Sequence, residues 1–461
     1  MSEVAASPQR TERFIKMTTA PVEKLVLSLA GPSIMIMMTT SFYNMAATYF
    51  VSTLGTSEVA AVGIAFPLMN IIQAIGFFFG QGSGNFISRV LGAQDHEAAS
   101  RMAVTSLISG FVMMALTAFV IILNLENFVM LLGATETIKP HAMDYIFYIL
   151  LASPWMVAAT VLNQQLRFQG SAAIAMVGMV SGTLLNIGLT PLLIIVFGLG
   201  VRGASLSTMI CQIVSFCVLF FYGTTRKGSV RIKFAHFSPT PKRFIETCRG
   251  GVPSLIRQGL MSVATITINT FARPYGDAAI AAISIASRIT MFANSLALGF
   301  GQGFQPVCGF NYGAKIYSRV RKAFWFCVRT SFVFLFVVSI LMAFFAPEII
   351  AFFRNDPEVI TIGARGLRLH CLGLPFLAAA LLVNMMTQTM GRALEASITA
   401  FARQGFVLLP SLFILNPFYG LLGIQMAVPI ADYVSLLIVI PILLRVWKIL
   451  SVPDSSTERT T

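Results

Sequence analysis

A short block of small and polar residues occurs twice in this chain. Gly80-Gln81-Gly82 returns as Gly301-Gln302-Gly303, and the separation from Gly80 to Gly301 is 221 residues. The same shift, without a gap, aligns further landmarks: Pro32-Ser33 with Pro253-Ser254, Ala60-Ala61 with Ala281-Ala282, Gly92 with Gly313, Pro154 with Pro375, and Gly170 with Gly391. Because these landmarks stay in register over most of each half, the sequence predicts two copies of one structural unit.

The composition indicates that both copies lie in a membrane. Hydrophobic residues make up 56% of the chain and charged residues 11%, whereas a soluble domain carries about 25% charged residues. The net charge of +14 lies mainly in short loops between apolar stretches. It therefore does not indicate nucleic-acid binding.

Crossing the hydrocarbon core of a bilayer takes about 20 apolar residues in a helix, and this length predicts twelve spans. They lie near residues 25–50, 58–85, 98–123, 141–162, 173–197, 203–223, 250–272, 279–306, 324–347, 360–384, 397–417 and 422–446. Because six spans per copy is an even number, both copies enter the membrane in the same sense, as in transporters with parallel repeats. We expect an all-α polytopic membrane protein with twelve transmembrane helices in two parallel six-helix repeats.

Lysine and arginine are concentrated in alternate loops. The central segment 225–247 is strongly basic, and the loops on the opposite side hold little more than Lys139, Arg202, Arg273 and Arg354. The positive-inside rule then places both termini in the cytoplasm. The predicted organisation is a cytoplasmic tail (1–20), a first lobe (21–224), a cytoplasmic linker (225–247), a second lobe (248–450) and a second cytoplasmic tail (451–461).

The residues that enzymes and metal sites need are sparse. The six cysteines show neither metal-binding nor disulfide spacing. There are four histidines and no His-Glu-x-x-His motif, whereas a membrane-embedded enzyme needs a nucleophile with a base, or clustered metal ligands, at one depth. Gly80-Gln81-Gly82 is no phosphate-binding loop, because no Lys-Ser/Thr follows it. We expect neither a cofactor nor an enzymatic activity.

The blocks GQGFQP at 301–306 and GFNYGA at 309–314 resemble the multidrug and toxic compound extrusion (MATE) family of prokaryotic transporters. SRVLGA at 88–93, YGDAAIAA at 275–282 and LNI at 185–187 share this resemblance, which covers residues from about 25 to 446. The resemblance implies a transporter of the bacterial inner membrane, whose two lobes enclose a cavity that opens alternately to either side. It implies drug-like organic cations as substrates, H⁺ or Na⁺ as the coupling ion, and contact with lipid but not with nucleic acid. We expect a monomer.

In the branch of this family that couples in its first lobe, the resemblance implies a pocket built from a Tyr and an Asp in span 1, an Asn and an Asp in span 5, and a Thr in span 6. The matching positions are Tyr43, Ala47, Asn186, Thr190 and Thr208. Both carboxylates are missing, at Ala47 and Thr190, and a carboxylate is what lets such a pocket hold a proton or a sodium ion. Either this protein couples elsewhere, or it has lost coupling by natural divergence or by substitution.

Ionisable residues inside a bilayer are costly and mark candidate functional sites. Asp432 in span 12 and Arg288 in span 8 lie at comparable depth, so they can pair, either as a structural link or around a coupling carboxylate. His370 in span 10 can serve in packing or carry a proton near neutral pH. Arg403 is expected about two turns from the cytoplasmic end of span 11, where a long side chain can anchor the helix or act as a gate.

Neutral polar residues recur at membrane depth in both copies. They can form hydrogen bonds between helices, or they can together line a polar cavity between the lobes that holds a cation. The candidates for that cavity are Asn44, Asn70, Gln73, Asn163, Asn269 and Asn294.

The sequence favours a secondary active transporter that exports amphipathic organic cations in exchange for H⁺ or Na⁺ by alternating access. The alternative is a flippase for lipid-linked precursors in the same superfamily, which would need a strongly cationic cavity, and few Arg or Lys lie deep in the spans. A membrane-embedded enzyme is the remote alternative.

Overall fold

The computed structural model describes residues 8–52, 56–225, 230 and 232–454, without the side chains of 8–11, 41–49, 51–52, 56 and 225. Helices account for nearly all of this part of the chain. In the first half they are α1 (Pro8–Thr19), α2 (Val22–Ser52), α3 (Thr56–Ile64), α4 (Phe66–Gly92), α5 (His96–Leu123), α6 (Leu125–Leu131), α7 (Lys139–Phe168), α8 (Ala172–Pro191) and α9 (Gly200–Thr225). A π-helical segment, Leu192–Val196, extends α8.

The second half repeats this order. Its helices are α10 (Pro241–Ala272), α11 (Asp277–Gly313), α12 (Tyr317–Phe344), α13 (Ala346–Phe353), α14 (Pro357–Thr389), α15 (Ala393–Phe401), α16 (Leu409–Tyr419) and α17 (Leu421–Leu450). The π-helical segment Ala402–Leu408 joins α15 to α16.

The helices correspond to the predicted spans. Within the described residues, eleven helical stretches are long and apolar enough to cross a bilayer. The remaining predicted span, 250–272, lies in α10, a 32-residue helix whose first turns are charged and less apolar. The prediction of an all-α polytopic membrane protein is confirmed.

The backbone carries the 221-residue repeat in its rare conformations. Gly170 and Gly391 both have φ of 79°, and Gln94 and Lys315 have φ of 64° and 58°. A positive φ is uncommon for a residue other than glycine, so its occurrence at two equivalent positions reflects one shared turn geometry rather than two accidents.

One hydrogen bond between helices is also repeated. Asn163 Nδ2 donates to the Ala175 carbonyl at 3.0 Å, and Asn384 Nδ2 donates to the Ala396 carbonyl at 2.7 Å. The two asparagines lie on α7 and α14, the most buried membrane helices of their halves. Asn163, which we predicted for the substrate cavity, is therefore a buried link between α7 and α8.

The chain forms two compact units, and the division between them cuts through two helices. The first unit contains the described residues up to Thr19 and residues 35–251, and the second contains residues 20–34 and those from 252 onward. Hence α2 begins in the second unit and continues in the first, and α10 does the reverse. The predicted lobes, 21–224 and 248–450, had assigned all of α2 to the first lobe. We call residues 20–34 and 241–251 the exchanged segments.

The recurring glycines are the surfaces on which the exchanged segments lie. In the first unit, a Cβ on Gly82 of α4 would meet the Thr247 carbonyl oxygen of α10 at 2.4 Å. In the second unit, a Cβ on Gly303 of α11 would meet the Ala30 backbone nitrogen of α2 at 2.6 Å. Any side chain would prevent these approaches, so glycine is required at both equivalent positions.

Ion pairs hold the same segments at their polar ends. In the first unit, Arg89 Nη2 lies 2.9 Å from Glu246 Oε2. In the second unit, Lys322 Nζ lies 3.0 Å from Glu23 Oε1, and Arg319 Nη2 donates to the Ala20 carbonyl at 2.6 Å. Each exchanged segment is thus bound by backbone packing and by charge.

Gly303→Ala is expected to destabilise the protein, because its methyl group would force the α2 backbone away from α11. Overpacking of this kind costs about 1–3 kcal/mol, which a thermal melt of the detergent-solubilised protein would show as a lower midpoint. Gly259→Ala on α10 is the matched control, since a Cβ there has no heavy atom within 4 Å. Equal midpoints for the two variants would contradict the packing described.

Candidate functional site

The first-unit pocket implied by the family resemblance is a cluster of neutral hydrogen-bonding groups. Asn186 and Thr190 are buried one turn apart on α8. Thr190 Oγ1 donates to Asn186 Oδ1 at 2.8 Å, so in its 2.9 Å contact with Ser207 the Ser207 hydroxyl is the donor. None of these described groups carries a charge near neutral pH.

Ser207 occupies the place in this cluster that we expected for Thr208. Thr208 is buried on α9, but its hydroxyl donates to the Ala204 carbonyl of its own helix at 3.0 Å. Adjacent residues on a helix point about 100° apart, so only one of the two can face α8. Tyr43, Asn44 and Ala47 lie on α2, and their side chains are outside the described residues.

The remaining candidates for the substrate cavity lie on the surfaces of their units. Asn70 and Gln73 of α4 are exposed on the first unit, and Asn269 of α10 is exposed on the second. Asn294 of α11 is half-buried, and its Oδ1 has no hydrogen-bond partner among the described residues. Exposed amides on membrane helices are unfavourable against hydrocarbon, so these positions favour water or a polar ligand.

An ion pair lies at the centre of the second unit. Asp432 of α17 is 1% exposed, and Arg403 Nε donates to its Oδ1. Arg403 lies in the π-helical segment Ala402–Leu408, in the middle of a membrane stretch that begins at Ala393. The predicted span began at 397, so the position of Arg403 near the cytoplasmic end was wrong, as was its assignment as an anchor.

Arg288 is not the partner of Asp432, contrary to our prediction. Arg288 is exposed on α11, whereas Thr290, two residues further on, contacts His370 of α14. Two residues correspond to about 200° around a helix, so Arg288 points away from α14. Depth alone suggested the pair, and the helix face excludes it.

The ion pair occupies a position that the first unit fills with small groups. The 221-residue shift places Arg403 on Gly182 and Asp432 on Cys211. Gly182 and Cys211 are in contact as well, because a Cβ on Gly182 would meet the Cys211 carbonyl oxygen at 2.8 Å. The same helix contact is therefore neutral in one unit and charged in the other.

His370 lies close to this ion pair. It is buried on α14, with Nδ1 3.2 Å from Thr290 Oγ1. The carboxylate of Asp432 rests against Gly373, less than one turn from His370, where a Cβ would meet Oδ2 at 2.4 Å. Comparing the two repeats for positions that are polar in one copy and apolar in the other would have revealed Arg403 and Thr290 from the sequence.

Two segments of the chain match the family model described as MatE, residues 32–192 and residues 253–414. The chain belongs to the MatE family. The two matches begin 221 residues apart, the same separation as Gly80 and Gly301, so each repeat is one copy of the family domain. The predicted family is confirmed.

Relatives of this MATE chain match it over nearly its whole length. The multidrug export protein MepA of Staphylococcus saprophyticus is 26% identical over 429 residues, which cover 93% of this chain and 95% of the relative. The crystal structure of a MATE in the bent conformation matches with a TM-score of 0.90 and 25% identity, over 96% of this chain and 99% of that one. A MOP superfamily transporter from Pyrococcus furiosus matches with a TM-score of 0.89 and 26% identity, over 95% and 99%. This chain is a membrane transporter and not an enzyme, as predicted.

Breaking the ion pair by Asp432→Asn is expected to destabilise the protein more than removing both charges by Arg403→Gln with Asp432→Asn. The single change leaves the Arg403 charge without its partner, which for a buried pair costs about 3–5 kcal/mol. Thermal melts of both purified variants in one detergent measure the difference. A double variant that melts no higher than the single one would contradict a direct pairing.

Proposed function

We propose that this MATE transporter exports amphipathic organic cations in exchange for H⁺ or Na⁺ by alternating access, in a bacterial inner membrane with both termini in the cytoplasm. The proposal is supported by the MepA relatives, which are named multidrug export proteins. It is supported also by the exposed neutral amides, because Asn70, Gln73 and Asn269 offer dipoles to a cation without a fixed charge of either sign.

The observation that carries the proposal is the position of Asp432. In the described part of the chain it is the only buried carboxylate. Ion-driven transport needs a group whose charge state differs between the two conformations, because an ion can shift an equilibrium only by its difference in affinity for the two states. A buried carboxylate held by a single arginine meets that need, since binding of H⁺ or Na⁺ weakens its attraction to Arg403.

The connection between Asp432 and the rest of the protein runs through helices shared by the two units. Asp432 and Arg403 belong to the second unit, and so does the beginning of α2, which rests on Gly303. Because α2 continues into the first unit, a change in second-unit packing can be transmitted along one continuous helix.

One observation favours the alternative, a lipid-linked precursor flippase. Arg257 of α10 donates from Nη1 to Asn384 Oδ1 at 3.0 Å, and none of the described carboxylates forms an ion pair with it. A lone cation at membrane depth suits an anionic headgroup. Arg403 does not add to it, because Asp432 neutralises its charge.

Purified protein in liposomes loaded with ethidium, a cationic dye, tests the export proposal. Without ATP, an imposed H⁺ or Na⁺ gradient is expected to drive dye exit, and an ionophore that dissipates the gradient is expected to stop it. The folded variant Arg403→Gln with Asp432→Asn should lose gradient-driven exit by at least about tenfold, within the range typical of coupling between sites.

The matched control for this variant is Asn70→Gln on α4, which keeps an amide on the other unit and should keep the gradient response. Failure of folded wild-type protein to move dye under either gradient would contradict export. Accumulation of a lipid-linked precursor in cells that lack the gene would then support the flippase instead.

A further inference from the structure

A polar seam joins two helices of the second unit. One face of α14 carries Gly366, His370 and Gly373, and the opposing face of α17 carries Gln425 and Asp432. A Cβ on Gly366 would lie 3.0 Å from Gln425 Nε2, and one on Gly373 would lie 2.4 Å from Asp432 Oδ2. The seam therefore brings an amide, an imidazole and a carboxylate into one line along the contact between the two helices.

The fold does not require these polar groups. The 221-residue shift places Thr290, His370, Arg403, Gln425 and Asp432 on Met69, Ile149, Gly182, Ala204 and Cys211. The first unit builds the same helix contacts with these less polar residues. Since buried polar groups are costly unless they are hydrogen-bonded, their retention in one copy alone points to a function.

The hydrogen bonds around His370 determine its tautomer. Thr290 Oγ1 donates to the Ala286 carbonyl at 2.6 Å, so in its 3.2 Å contact with His370 it accepts from Nδ1–H. In the neutral ring the proton is then on Nδ1, and Nε2 is the basic nitrogen. Among the described residues, no hydrogen-bond partner faces Nε2.

His370 lines a small cavity that it shares with Gly366, Gln425 and Ser287. The cavity volume of about 10 Å³ is close to what a single water molecule needs. Ser287 at its edge is exposed, and Gln425 accepts from Arg365 Nε at 3.1 Å nearer the start of α14. The cavity is thus on the side of the seam that we predict to be external.

The groups that face His370 come from each element packed against α14. The π-helical segment contributes Arg403, which is close enough to act electrostatically on the ring. From α17 come Gln425 and Asp432, and from α11 comes Thr290. The contact with α12 is apolar, through Leu335 and Met342.

We propose that the coupling ion is a proton, which enters at His370 and is passed along the seam to Asp432; this rests on the proposed ion-driven export. The proton forms an N–H bond at Nε2, that bond breaks as an O–H bond forms on the Asp432 carboxylate, and Arg403 loses its partner. The proton leaves when the Arg403–Asp432 pair forms again. A sodium ion is disfavoured, because it needs several oxygen ligands beside a guanidinium that already holds Oδ1.

Dye-loaded liposomes under a pH gradient alone test this proposal. His370→Gln keeps an amide donor for Thr290 but cannot carry a proton. We expect it to reduce proton-driven dye exit at least about tenfold, while dye exchange without a gradient is unchanged. His236→Gln, in the segment before α10, is the matched histidine control and should behave as wild type. Thr290→Val keeps the imidazole and should retain most of the proton-driven exit.

Each other result decides against part of the account. Full proton-driven exit in His370→Gln, or exit driven by Na⁺ and not by H⁺, would overturn the proton route and leave ion-driven export standing. No exit under either gradient would remove the export proposal itself. If His370→Gln does not fold, a pH dye inside wild-type liposomes decides, because dye exit without proton movement would also overturn the route.

Discussion

Close contact between backbones at Gly82 and Gly303 is the constraint on which the rest of the structure depends. Helices in a bilayer gain little from the hydrophobic effect, so they associate through packing that small residues permit. At Gly82 and Gly303 the approach is close enough to exclude any side chain, and the partner in each unit is a segment of a helix that continues in the other unit. The glycine block that marks the repeat in the sequence is therefore the place where α2 and α10 become shared between the units.

The two repeats keep one backbone and differ in their chemistry. Their turns have the same unusual φ values, and Asn163 and Asn384 form the same hydrogen bond between equivalent helices. At the contact that joins span 5 to span 6, the first unit has only neutral groups, whereas the equivalent contact in the second unit holds Arg403 and Asp432. The duplicated fold thus supplies its own internal comparison. A buried charge present in one copy and absent from the other cannot be a requirement of the architecture.

The candidate site was only partly predictable. Asp432 and His370 could be selected because ionisable residues at membrane depth are rare, and Asn186 and Thr190 could be selected by the family resemblance. The partner of Asp432 could not, because depth along a helix follows from residue number whereas direction around it depends on the helix start and on the packing. A predicted start four residues too late placed Arg403 near the interface, and a π-helical segment further changed the face on which it lies. The same uncertainty of one residue separated Thr208 from Ser207.

The sequence by itself determined the class, the repeat and the positions of the membrane helices, because apolar length and an ungapped shift are properties of the chain alone. It also determined that glycine recurs at two equivalent positions. Only the tertiary structure decided which helix lies on those glycines, which arginine meets Asp432, and that His370, Gln425 and Asp432 share one seam. These are contacts between residues far apart in the chain, and their geometry depends on how each helix is rotated about its own axis, which a pattern of residue types does not specify.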